Sequence, residues 1–241
     1  LKSITTEDIE GWLSKYGKGK SAATKHGGFR EVRALFLWAE KREIILRSPH
    51  RAVSIQCPND PVKSVFSKED IQRIFQEITP ANHLYRPILI ALHTGMRSGE
   101  VVGLQWGDID FEYDLIHLPQ TKSGKHQTVP ISPDLGILLQ GWKSAGFPKP
   151  VHYNCNGNLA HDFADLRDKL GLEKDKTFHA IRRTVATELI ANGASIFWVS
   201  KLLRHSSVQV TEDSYAHILK QPIRDAANQM AEILKPLNSM I

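Results

Sequence analysis

The sequence predicts a mainly α fold with a small antiparallel β-sheet, an α+β catalytic domain, preceded by a small all-α N-terminal domain. Three observations carry that prediction. Apolar residues recur at three- and four-residue steps over most of the chain, as in Phe29, Val32, Phe36 and Ala39. Residues 106–131 change the rhythm to short alternating runs bounded by turn residues. The stretch IQCPNDPVKSV holds Pro58 and Pro61 and no periodic apolar face, which is how a linker reads. The expected organisation is a helical domain over residues 1–56, a linker over 57–65 and the larger domain over 66–241.

Composition narrows the function classes. Of 241 residues, 41% are hydrophobic and 24% charged, with a formal net charge of +5. A modest basic excess permits a nucleic-acid partner without requiring one. Two cysteines, Cys57 and Cys155, are too few for a disulfide scaffold or a zinc site, so a reducing cytosol is expected. No apolar run approaches the roughly 20 residues of a membrane span, and no membrane partner is expected. The chain begins at Leu1 without a signal-peptide pattern and reads as a fragment.

The elements follow in order. Thr5 or Thr6 caps a first helix carrying Ile9, Trp12 and Leu13. The polar, Gly-rich KYGKGKSAATKHGG is a loop into a second helix, which starts near Ala22, runs to Ile44 and Ile45, and is closed by Pro49. Its polar side carries Lys20, Lys25, His26 and Arg30, a surface suited to phosphates. Ser67 opens a helix through Ile71 and Ile78, and another spans 84–94 before Gly95 interrupts. Arg97 to Glu100 begin a short helix. Strands over 108–111, 115–118 and 127–131 suit a three-stranded sheet, with Lys122 and Lys125 at the tip of the second turn. Ser132 caps the next helix, and residues 159–170 form another. Pro222 starts a last helix with Ile223, Ala227, Met230 and Leu234 on one side.

Residues 177–217 organise the rest. They read as three helical segments, opened by Thr177, by Ser195 and by Ser206 or Ser207. On the first, Phe178, Ile181, Val185 and Leu189 form an apolar stripe with His179 and Arg182 along one edge. His205 falls in the turn between the second and third, and Tyr215 near the end of the third. Taken singly, Arg97 is a helix-cap neighbour, Lys122 a turn residue and His179 a core-edge side chain. Jointly they make two arginines, a lysine, two histidines and a tyrosine, without a carboxylate cluster for Mg²⁺. Guanidinium and imidazole donors can clamp the non-bridging oxygens of a phosphodiester. A tyrosine beside such cations is a plausible nucleophile, and a hairpin lysine can protonate the departing oxygen.

Four ordered motifs resemble the tyrosine recombinase (phage integrase) family. They are Thr94-Gly95-Met96-Arg97-Ser98-Gly99-Glu100, His179-Ala180-Ile181-Arg182, Leu202-Leu203-Arg204-His205-Ser206-Ser207 and Ser214-Tyr215-Ala216-His217. The likeness covers nearly the whole chain, with residues 1–50 similar to the later helices of the core-binding domain. It implies that Arg97 and Arg182 clamp the phosphate, Lys122 is the general acid, and His179 hydrogen-bonds the phosphate and assists as a base. His205 would donate to a non-bridging oxygen, and Tyr215 would be the nucleophile. The family usually has glycine before the second histidine; here it is Arg204, expected as an added DNA contact. The resemblance implies a site-specific recombinase that integrates or excises a mobile element or prophage through a 3′-phosphotyrosine intermediate, with neither metal nor ATP as cofactor. Its partners would be duplex DNA, three further copies in a homotetramer joined by the C-terminal helix, and accessory DNA-bending or directionality proteins in a prokaryotic cytoplasm. The alternatives are a type IB topoisomerase-like relaxase, a non-catalytic helix-turn-helix regulator built on 195–215, and a metal-dependent nuclease. The regulator leaves Arg97, Lys122 and Tyr215 without a role, and the nuclease lacks an acidic triad.

Overall fold

A computed structural model describes residues 1, 3–55, 64–119, 127–153, 155–205 and 207–215. The chain divides into two compact units, Leu1–Val62 and Lys63–Ile241.

In the first unit, α1 (Thr6–Gly17) starts on a capping box in which Thr5 accepts from the Asp8 N–H and Asp8 accepts from the Thr5 N–H. Ser21 caps α2 (Ala22–Lys41) by accepting from the Thr24 N–H. Ile9, Phe29 and Phe36 are buried together, with Val32 and Ile45 packed against them. Two expectations are corrected here. α2 begins at Ala22 as expected, so the AATKHGG part of the expected loop is helical; at Gly28 a Cβ would meet Tyr16 Cε1 at 2.5 Å, which glycine avoids. Tertiary approach of α1 outweighs the low helix propensity of glycine. The helix also stops at Lys41, short of Ile44 and Ile45, where Glu43 turns left-handed at φ 57°.

The second unit opens with α3 (Lys68–Glu77), whose Ser67–Asp70 capping box matches the expected start. Then α4 (Tyr85–Thr94) ends on Gly95 in the left-handed region, and α5 (Ser98–Gly103) follows one turn later. Strands β1 (Ile109–Asp110), β2 (Leu115–Leu118) and β3 (Gln127–Pro130) form an antiparallel sheet in the order β1-β2-β3. The register opposes Ile116 to Val129, both fully buried. β1 is shorter than expected because the Asp110 carboxylate accepts the Glu112 and Tyr113 N–H groups, bending the chain before Phe111 can pair. Next come α6 (Pro133–Ser144), capped by Ser132, and α7 (Asn156–Lys169), which begins slightly ahead of the expected 159.

The chain closes its described part with α8 (Phe178–Ala191), α9 (Ile196–Leu202) and α10 (Val208–Tyr215). α8 packs on α4. Ile90, Leu104, Ile116, Leu135, Phe163 and Ile181 belong to one core that joins the sheet to the helices. Ala186 and Ile190 near the end of α8 make a second cluster with Val199 and Leu203, which seats α9. The expected helix from Pro222 lies outside the described residues. Among the described residues, no helix is long and apolar enough to cross a membrane.

Candidate active site

Two turns meet to make the site. The first follows α4, where Gly95 adopts φ 60° and the Thr94 hydroxyl accepts from the Met96 N–H. A Cβ at Gly95 would stand 2.5 Å from Leu203 Cδ2, so glycine is what lets this turn lie against the second one, after α9. Arg97 leaves the first turn as the N-cap of α5. Its N–H donates to Glu100 Oε2 at 2.8 Å and its Nη1 to Glu100 Oε1 at 2.8 Å. Its Nη2 donates to the Arg204 carbonyl at 3.2 Å, while the side chain stays partly open to solvent.

Arg182 comes up from α8 beneath both turns and is buried. Its Nη1 donates to the Gly95 carbonyl at 2.7 Å and its Nη2 to the Leu203 carbonyl. One guanidinium therefore ties together the turns that carry Arg97 and His205. His179 lies one helical turn earlier on α8, at the surface. His205 is half-buried, with Nδ1 2.6 Å from the Thr211 hydroxyl of α10, itself fully buried. Burial first, then the charges of Arg182, Arg97, Arg204 and His179, push the His205 pKa down from 6.5 to about 4. His205 is thus a neutral imidazole at physiological pH. To donate from Nε2 it must keep Nδ1 as an acceptor, which the Thr211 O–H can satisfy.

Glu100 sits between the two basic groups. Burial pushes its carboxyl upward, but the Arg204 charge and the Arg97 donors outweigh that and hold its pKa below the ordinary value. Just before α8, the buried Lys176 ammonium pairs with the buried Asp70 at 2.6 Å and with the exposed Glu173 at 2.5 Å.

The structure thus brings together Arg97, Arg182 and His205, with His179 on the same helix as Arg182. Lys122 and Lys125 lie outside the described residues. Tyr215 is the last residue of α10, and its side chain lies outside what the structure describes. Arg204 corrects an expectation: its side chain is only 4% exposed and turns inward to Glu100 instead of outward to a ligand. In the first unit, the Lys20 ammonium sits 3.4 Å from the centre of the Tyr16 ring, Lys25 lies along Gly17, and His26 is half-buried. Arg30 is exposed beside Glu31. Sequence reasoning gave no role to Glu100 or Thr211. Glu100 carried only the weaker signal of an acidic residue in the first turn of α5, and Thr211 that of a residue one helical turn before Tyr215.

An open cavity of about 400 Å³, lined by His83, His152, Tyr153, Asn158, His161 and Asp162, is made by other residues. There Asp162 pairs with His83 at 3.0 Å and accepts from the Tyr153 hydroxyl at 2.8 Å. Among the described residues, no group of three or more His, Cys, Asp or Glu could hold a metal ion.

Residues 64–222 match the Phage integrase family. The chain belongs to that family, the tyrosine recombinases. A XerC-like tyrosine recombinase of Caldanaerobacter subterraneus subsp. tengcongensis is 27% identical to it, over 97% of this chain and 71% of the relative. In fold, the recombinase is similar to the Tn1549 transposon integrase solved with a circular intermediate DNA. That match has a TM-score of 0.77 at 21% identity and covers 95% of this chain and 86% of the other. It is also similar to a lambda integrase dimer bound to a core site, with a TM-score of 0.73 at 20% identity, over 89% and 80% of the two chains. The mainly helical unit with its three-stranded antiparallel sheet is the integrase catalytic fold.

Proposed function

We propose that this recombinase cleaves and rejoins duplex DNA at specific sites through a 3′-phosphotyrosine on Tyr215, so as to integrate or excise a mobile element or prophage. The observation that carries the reading is the meeting of Arg97, Arg182 and His205 at two joined turns. Two guanidiniums suit the two non-bridging oxygens of one phosphate, and a neutral imidazole can donate without adding charge. Tyr215 attacks the phosphorus in line, breaking the bond to the 5′ oxygen, and Lys122 gives that oxygen its proton. His179 assists by taking up the phenol proton. A 5′-hydroxyl from a partner duplex then reverses the step, so one phosphodiester is made for each one broken. Catalysis on this reading is positioning plus stabilisation of charge on the transferring phosphoryl group.

Residues 1–56 act as a partial core-binding domain, joined by a linker over 57–65 to the catalytic domain over 66–241. Lys20, Lys25, His26, Arg30 and Lys125 contribute phosphate contacts. The active assembly is a homotetramer on DNA, linked by the segment from Pro222, with accessory DNA-bending or directionality proteins setting the outcome. Both solved relatives are DNA complexes, which supports duplex DNA as the partner.

The test is covalent capture from a library of nicked duplexes with randomised centres, using the full chain. Wild type should yield a protein–DNA adduct enriched for particular sequences. Tyr215→Phe should bind the recovered duplexes equally well and form no adduct; an adduct from that variant would reject the assignment.

A further inference from the structure

Arg204 combines two unfavourable features. Its backbone is left-handed, at φ 56°, a conformation that glycine adopts freely and a side-chain-bearing residue only at a cost. Its guanidinium is buried, with side-chain exposure of 4%, and Nε has no hydrogen-bond partner among the described residues. Burial accordingly pulls the Arg204 pKa down from its ordinary value, while Glu100 pulls it back. A charge in such a place needs an offset, and the structure contains it. Nη2 donates to Glu100 Oε2 at 2.7 Å and Nη1 to the Leu202 carbonyl at 2.9 Å.

The same carboxylate serves Arg97. Oε2 also accepts the Arg97 N–H, and Oε1 accepts Arg97 Nη1. Without Arg204, Glu100 would cancel the charge of Arg97 at the point where a phosphate must be held. With Arg204 the three groups sum to one positive charge. Arg204 also grips Arg97 from a second direction, because its own carbonyl accepts from Arg97 Nη2. The Arg204 carbonyl thus holds Arg97 directly, and its side chain holds Arg97 through Glu100.

We propose that Arg204 is a positioning residue that fixes Arg97 and offsets the Glu100 charge, without itself touching DNA. The proposal rests on reading Arg97 as a phosphate clamp. It assigns a role to the position where the resemblance leads one to expect glycine, and that role is internal.

The experiment uses the full chain with Arg204→Gly, Arg204→Lys, Glu100→Gln and the pair Arg204→Gly with Glu100→Gln. Glycine suits the left-handed backbone, and lysine keeps the charge. Affinity for a short random-sequence duplex is measured against salt concentration, and single-turnover adduct formation is measured on a nicked duplex recovered by covalent capture. Arg204→Gly should slow adduct formation by about tenfold or more with affinity and salt slope unchanged, and Arg204→Lys should recover part of the rate. Once Glu100→Gln is present, adding Arg204→Gly should change the rate by less than about threefold, because the shared carboxylate is gone. A salt slope reduced by about one in Arg204→Gly, with weaker binding, would make Arg204 a DNA contact and overturn the proposal. An adduct rate equal to wild type would overturn it as well. No adduct from wild type with any library member would instead overturn the reading of the whole site, and this one with it.

Discussion

Acidification should reveal what it costs the fold to keep His205 uncharged. Its pKa in the folded chain, pushed by burial and by four neighbouring basic groups to about 4, lies below the ordinary 6.5. As the pH falls from neutral, the unfolded chain takes up this proton first, so folding stability is intact above 6.5 and declines from there towards 4. Taken at face value the difference corresponds to about 3 kcal/mol. The imidazole is only half-buried, and solvent screening reduces the expected effect to about 1–2 kcal/mol. His205→Asn removes the titration while retaining a polar group of similar reach. Urea unfolding of both proteins at about pH 7.5 and about pH 5 gives the comparison directly. The variant should gain on wild type by about 1 kcal/mol or more over that interval. A difference that stays constant with pH would show that His205 is not held neutral by its surroundings.

Gly95→Ala places a Cβ 2.5 Å from Leu203 Cδ2 at a backbone φ of 60°. It should destabilise the chain by about 1–3 kcal/mol in urea unfolding, and a loss under about 0.5 kcal/mol would mean that the two turns are not closely braced. Thr211→Val removes the hydroxyl that meets His205 Nδ1 and should slow adduct formation by about tenfold, whereas Thr211→Ser should stay near wild type. Equal rates for the two variants would remove Thr211 from the account. Asp70→Asn strands the Lys176 ammonium, whose side chain is only 9% exposed, with Glu173 as its remaining carboxylate. A stability loss of about 2 kcal/mol or more by urea unfolding is expected, and no loss would mean that Glu173 suffices.

Much of this architecture is written in local signals. Thr5, Ser67 and Ser132 announce helix starts because each needs only a hydroxyl and an N–H three residues on. Thr177 stands at the N-cap of α8 without a side-chain capping bond, whereas the Asn192–Gly193 pair closes that helix locally, with Gly193 left-handed at φ 88°. What sequence did not disclose depends on distant partners. The reason for a glycine at position 28 inside α2 is Tyr16, whose ring lies where a Cβ would stand. Trp12 reads as core, yet it stacks on Tyr16 at 4.7 Å and remains partly exposed. An arginine beside His205 reads as a DNA contact. Nothing near Arg204 in the chain reveals that its partner is Glu100, separated by 104 positions. The inward turn follows from the meeting of α5 with the loop after α9, which is a property of the assembled fold.

The guanidinium at position 182 is both a ligand-facing charge on the proposed reading and a rivet between two loops. Truncating it to alanine would blur two different losses, because the anion receptor and the mechanical join would disappear in one step. Stability and activity read together separate them. In Arg182→Lys an ammonium keeps the charge but cannot span the Gly95 and Leu203 carbonyls with a planar fork, so a loss of stability in urea unfolding reports the joinery, while the activity lost also includes the fork's grip on the phosphate.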